Sequence, residues 1–179
     1  MSKTYREHQI EDIFREYKRR LIQLLGRKAL YDYQIDEIAR ELFGSKWLGC
    51  NAQDKIVFKS GGTRGCKPLR VFDPTSIPLG YQIINVDTSN QPGSHWCALI
   101  QNGNNIYVYD SFARSSQNLL KVLTKSIRLR SPVKNRKIQV LDSDRSDSEQ
   151  RGLSQICGHL CIAWLMCAQD FGVKSAMKI

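Results

Sequence analysis

No stretch of the chain approaches the roughly 18 consecutive apolar residues that a membrane-crossing helix needs. The start, MSKTYREHQIEDIFREYKRR, is charged along its length and lacks the apolar core of a signal peptide. A soluble, intracellular protein with no membrane partner is therefore expected. Also missing are a CxxC pair, any Cys/His grouping at zinc-ligand spacing, an internal repeat and a low-complexity segment. The six cysteines, Cys50, Cys66, Cys97, Cys157, Cys161 and Cys167, are scattered. In a reducing compartment they read as free thiols, mostly buried as small apolar side chains, and no metal is expected. Acidic residues are absent between 111 and 141, where eight Lys or Arg occur.

What is present fits one folded unit. A chain of 179 residues with 41% apolar and 9% aromatic residues can bury one sizeable core, so 1–179 reads as a single domain, with an N-terminal helical region at 1–45 and a core at 81–170. The net charge is +10. Its concentration in Arg114, Lys121, Lys125, Arg128, Arg130, Lys134, Arg136 and Lys137 points to a polyanion, with nucleic acid favoured as the partner. For any one of these residues a solvated basic surface is the alternative.

Along the chain, Ile10, Ile13, Phe14, Tyr17, Leu21, Leu24 and Leu25 form a helical stripe over 7–25 with Arg and Lys opposite. Covering one end of the core is its expected use. A second helix runs from about Tyr33 to Phe43, with Ile35, Ile38, Ala39 and Leu42 on one face and Gly44 as its stop. Between Gly44 and Pro92 the Gly and Pro punctuation predicts loops, short apolar pieces such as IVF at 56–58, and one strand near 82–87. HWCALIQ, the turn NGNN and IYVYD predict a hairpin. Helix is expected at 115–126, strand at 137–141, and a polar loop at 142–156. A last helix runs from Cys157 to about Asp170, with Leu160, Cys161, Trp164, Leu165 and Ala168 on one face and Gly172 as its stop. Helices, then strands, then a helix packed on them make the class α+β.

Two polar stretches invite chemistry and fail its spacing. SGGTRGCK at 60–67 does not match a phosphate-binding loop, and a flexible loop is the better reading. DSDRSDSE at 142–149 does not fit a calcium loop, so a solvated loop is expected there.

The thiols and histidines fit a nucleophilic pair. A thiol is reactive as its thiolate, and a helix N-terminus with a nearby imidazolium lowers its pKa from about 8.5. Cys157 sits where the last helix begins, whereas Cys161 and Cys167 fall inside it. There are three histidines. His8 belongs to the basic N-terminal helix and reads as a surface residue, and His159, two positions after Cys157, points away from it. His95 remains, at the start of the hairpin. The returning strand ends at Asp110, on the same edge of the sheet, so the two side chains can meet across the strand pair and the carboxylate can orient the ring.

His95-Trp96 opening a hairpin, Asp110 ending its second strand, and a Gln in a loop before Cys157-Gly158 on a helix resemble the adenovirus maturation protease family. SUMO-specific proteases are its more distant relatives. Similar enzymes occur in other large DNA viruses, virophages and virus-like transposons. The resemblance implies a papain-like fold with the catalytic order His, Asp, Gln, Cys: Cys157 as nucleophile, His95 as base, Asp110 as orienting acid, and Gln150 as oxyanion-hole donor. Gln150 lies seven positions before Cys157, as in the adenovirus type, and Gln155 is its nearest rival. Trp96 and Gly158 are implied at the substrate groove, with Trp96 narrowing it for glycine or alternatively serving as a core aromatic. The implied role is cleavage of viral capsid and structural precursors at glycine-containing sites, in the infected cell and the virion. The chemistry requires no cofactor, and activation by DNA and a short viral peptide is implied. Asp110 stands where the adenovirus enzyme has Glu, and the N-terminal helix has no counterpart. Two rival readings are an enzyme removing a ubiquitin-like modifier, which would react with a ubiquitin-like vinyl-sulfone probe, and a DNA-binding packaging protein without catalysis, in which Cys157→Ala would change nothing.

Overall fold

The computed structural model of the chain describes residues 2–52, 57–58, 67–68, 80–87, 94–103, 105–116, 139–144, 146, 148–150 and 154–179. In chain order the elements are α1 (Tyr5–Leu25), α2 (Asp32–Phe43), a short 3-10 turn (Gly44–Lys46), β1 (Trp47–Ala52), β2 (Val57–Phe58), β3 (Lys67–Pro68), β4 (Gly80–Asn85), β5 (Trp96–Asn102), β6 (Asn105–Tyr109), β7 (Gln139–Asp142), α3 (Cys157–Phe171) and α4 (Val173–Ala176). Five strands form one mixed sheet in the order β1-β4-β5-β6-β7, and β2 pairs with β3 apart from it. The outer pairs β1/β4 and β6/β7 are parallel, and the inner pairs β4/β5 and β5/β6 are antiparallel. The α+β class is as the sequence predicts.

Each helix has a local cause. Thr4 and Glu7 close a capping box on α1, Glu7 N–H donating to Thr4 Oγ1 at 3.2 Å and Thr4 N–H to Glu7 Oε2 at 2.6 Å. Of the α1 stripe, Ile10, Phe14 and Leu21 are buried, whereas Leu24 is 71% exposed. Helix α1 covers one side of the core, with Phe14 edge-on to Tyr109. Helix α3 differs from its expected one-sided pattern: Cys157 through Leu165 are all buried. It lies between the sheet on one side and α1 and α2 on the other, so no face is left for water. Trp164 stacks on Tyr109 at 5.2 Å and donates its indole N–H to Ala176 O at 2.8 Å, tying α4 to the same core.

Three expectations need correction. Strand β1 lies where loops are expected. It is a parallel edge strand with Gly49 at φ +112° and a register slip between Trp47 and Gly49, so it has no regular alternation to read. The expected strand at 82–87 begins at Gly80 and ends at Asn85. The acidic loop is not simply solvated: Ser143 is buried, Asp144 N–H donates to Met177 O at 2.9 Å, and Asp142 accepts from Ser116 N–H at 3.1 Å. The helix expected at 115–126 and the basic residues from Lys121 onward fall outside the described residues, apart from the helix's first positions, as does most of 60–67. Among the described residues no helix is long and apolar enough to cross a membrane.

Candidate active site

The hairpin sets the site. In the β5/β6 register Ala98 faces Tyr109, so one step further Cys97 faces Asp110, and His95 lies two residues before Cys97 on the same side of the strand. Asn102 faces Asn105 across a turn entered by Gly103 at φ +58°. His95 Nε2 then lies 2.6 Å from Asp110 Oδ1, with both side chains buried. The Asp110 carboxylate is fully engaged. Phe112 N–H donates to Oδ1 at 3.0 Å and Arg114 Nε to Oδ2 at 2.9 Å. The turn that brings Arg114 back depends on Ala113, whose φ of +56° is rare for a residue with a side chain. Phe112 lies against the His95 ring, 4.8 Å between centroids, and the Arg114 guanidinium lies 5.1 Å from the centre of the Phe112 ring.

Cys157 opens α3, close enough to the His95 ring for that ring to lower its pKa. Since Asp110 occupies Nε2, Nδ1 is the nitrogen left for a second partner. Burial alone would raise the Cys157 pKa; the His95 hydrogen bond, the Trp96 backbone N–H, the charge of His95 and the Gly158 backbone N–H together hold it below the ordinary thiol value. Burial disfavours the His95 imidazolium, yet hydrogen bonds with Asp110, Cys157 and Cys97 raise its pKa. Burial likewise opposes the Asp110 anion, and the His95 and Phe112 hydrogen bonds with the charges of His95 and Arg114 lower its pKa nonetheless. The three directions all favour the charged forms, thiolate, imidazolium and carboxylate. Such a set can attack a carbonyl and return a proton to the leaving group.

Gln150 is buried, and both ends of its amide are held. Ser111 Oγ donates to its Oε1 at 2.7 Å, and its Nε2 donates to Ser154 O. One of the two amide N–H bonds is thereby used, and one remains. Gln150 N–H also donates to Ser111 O at 3.1 Å, tying this loop to the residue after Asp110. The rival Gln155 is exposed.

Trp96 is half-buried, with its ring against the core and its Nε1–H donating to Leu30 O at 3.0 Å. Gly158, expected at the groove, turns its Cα inward instead. A Cβ there would lie 3.3 Å from both Leu30 and Ile35, so the glycine admits the connector between α1 and α2. Arg114, expected among nucleic-acid contacts, commits its Nε to Asp110. Lys121, Lys125, Arg128, Arg130, Lys134, Arg136 and Lys137 lie outside the described residues. His8 is exposed, and His159 is buried and turned away, with Nε2 2.6 Å from Gly26 O.

Sequence reasoning missed Ser111, the Arg114 clamp and Cys97. The spacing of Arg114 four residues after Asp110 and of Cys97 two after His95 could have suggested the latter two. His95, Cys97 and Asp110 bring potential metal-ligand atoms within 4.8 Å of one another. Arg114 already sits on the Asp110 carboxylate, which disfavours a second cation.

The family described as adenovirus endoprotease matches residues 73–178, more than half of the chain. Among solved structures the chain is similar to the one titled "Crystal Structure of ASFV pS273R protease", with a TM-score of 0.51 and 14% identity. The match covers 86% of this chain and 62% of that one, so this chain spans less than two thirds of the length of its structural neighbour. At that identity the likeness shows a shared fold. No curated protein matches.

Proposed function

We propose that this chain, which belongs to the adenovirus endoprotease family, is a cysteine endopeptidase that cuts viral structural precursors at glycine-containing sites during capsid maturation. The observation that carries the reading is the buried His95–Asp110 pair at 2.6 Å, with Cys157 at the head of α3 near enough for the ring to lower its pKa. In this reading the Cys157 thiolate attacks the scissile carbonyl carbon, forming a C–S bond and an oxyanion. The Cys157 N–H and the remaining Gln150 amide N–H donate to that oxygen. The C–N bond breaks as the His95 imidazolium protonates the departing amine, leaving a thioester. Neutral His95 then takes a proton from water as it attacks, the C–S bond breaks, and the acid product leaves. Asp110 keeps the ring in place throughout and stabilises its charged form. Trp96, half-buried beside Cys157, would narrow the groove so that glycine passes. No metal or other group is needed for these steps.

DNA and a short viral peptide are proposed as activators rather than as parts of the chemistry. The net charge of +10 supports the first. The protease would act in the infected cell and the virion. The test is incubation of the purified chain with capsid-precursor fragments containing Gly-Gly, with and without DNA. Cleavage that Cys157→Ala abolishes is expected. Capture by a ubiquitin-like vinyl-sulfone probe, with precursors left intact, would favour deconjugation. DNA binding without cleavage, unchanged in Cys157→Ala, would favour a packaging role.

A further inference from the structure

The connector between α1 and α2 touches the nucleophile helix and its surroundings at three points. The His159 ring meets Gly26 O at 2.6 Å, the Trp96 indole donates to Leu30 O at 3.0 Å, and the Leu30 side chain closes on Gly158. Gly26 ends α1 at φ +80°. Cys157 lies within these contacts: it precedes Gly158 by one residue and His159 by two, and Cys161, one turn on, donates its S–H to Trp96 O at 3.3 Å. The connector therefore grips both sides of the sulfur's cradle, the strand that supplies His95 and the helix turn that supplies the thiol.

We propose that residues Gly26–Leu30 form an in-chain latch that positions Cys157 against His95, with His159 as its principal positioning residue. This rests on the reading of Cys157 as nucleophile. His159 is fully buried, and burial lowers its pKa against the opposing effect of the Gly26 and Ile156 backbone groups, which favours the neutral ring. With Nε2–H donating to Gly26 O, Nδ1 carries no proton and finds no hydrogen-bond partner among the described residues. An apolar side chain would fill the same space without leaving that nitrogen dry, so packing alone is poorly served by histidine. The hydrogen bond to Gly26 is what this side chain contributes. Removing it frees the first turn of α3 from the connector and lets the sulfur drift from the ring, and loss of that geometry costs rate more than binding.

The test compares His159→Gln, whose amide nitrogen reaches the position of Nε2, with His159→Asn, which is too short. Both are amides and carry a similar burial cost. The readouts are the alkylation rate of Cys157 by iodoacetamide and the kcat and KM for a Gly-Gly peptide, each at matched folded fraction by circular dichroism. Loss of one oriented hydrogen bond predicts alkylation and kcat about tenfold lower in His159→Asn with KM kept, and His159→Gln within about threefold of wild type. Equal Cys157 alkylation in wild type and both variants overturns the latch while leaving Cys157 the nucleophile. A wild-type Cys157 no more reactive than Cys50 overturns both. Should His159→Asn not fold, Trp96→Phe carries the test, since it keeps the ring and removes the donor to Leu30: slower alkylation supports the latch, and an unchanged rate overturns it.

Discussion

The head of α3 and its second turn hold the same residue four positions apart, in opposite chemical surroundings. Cys157 is 6% exposed; burial alone would raise its pKa, but the His95 ring and the Trp96 and Gly158 backbone groups lower it. Cys161 is fully buried and donates its S–H to Trp96 O at 3.3 Å; burial first, then the neighbouring thiols and Asp110, push its pKa far up. The first is pushed toward its anion and the second toward the neutral thiol. Residue type is constant, so what differs is burial without a counter-charge against burial beside one.

The largest test of that contrast exchanges the two thiols for methyl groups. Cys157→Ala should lower kcat on a Gly-Gly substrate by about 10⁴-fold or more, as for other catalytic nucleophiles. Cys161→Ala should leave kcat within a few-fold and cost about 1 kcal/mol of stability in a denaturant titration, for a small cavity and an orphaned Trp96 carbonyl. Comparable loss of activity in both variants would break the comparison.

Next in size is Asp110→Asn, which keeps the shape of the carboxylate and removes its charge. A drop of about 10³- to 10⁴-fold in kcat is expected, with KM little changed. Arg114→Ala should cost less, roughly threefold to tenfold, because its side chain is 44% exposed and Asp110 keeps the His95 and Phe112 hydrogen bonds. An Arg114→Ala effect as large as that of Asp110→Asn would mean that the clamp, rather than the carboxylate itself, organises the ring.

The hairpin was the most legible part of the sequence. Strict alternation on either side of an Asn-Gly turn fixes register, and register puts His95 and Asp110 on one edge. Helices α1 and α2 followed from their apolar period. What escaped depends on conformation or distance. Arg114 was read within a basic run, because nothing in the sequence signals that Ala113 takes a positive φ and turns the chain back on Asp110. Strand β1 was lost because its glycine and register slip erase alternation. His159 was read as pointing away from Cys157, as it does, but its partner Gly26 is 133 residues distant in sequence, beyond any local pattern.

The central claim is that, among the cysteines of the described residues, Cys157 is the one whose pKa is lowered, and that His95 lowers it. The depressed Cys157 pKa means that its reactive form is present at pH values where ordinary thiols are protonated, and is lost as pH falls through that lowered value. Burial pushes Cys167 up to about 12 and raises Cys50 as well, so both are expected to stay silent there. The most direct measurement is brief iodoacetamide labelling at mildly acidic pH, with peptide mass spectrometry ranking the cysteines in wild type and His95→Ala. The account predicts that Cys157 labels first by a wide margin and falls silent in His95→Ala. A Cys157 no faster than Cys50 or Cys167, or one indifferent to the loss of His95, would contradict it.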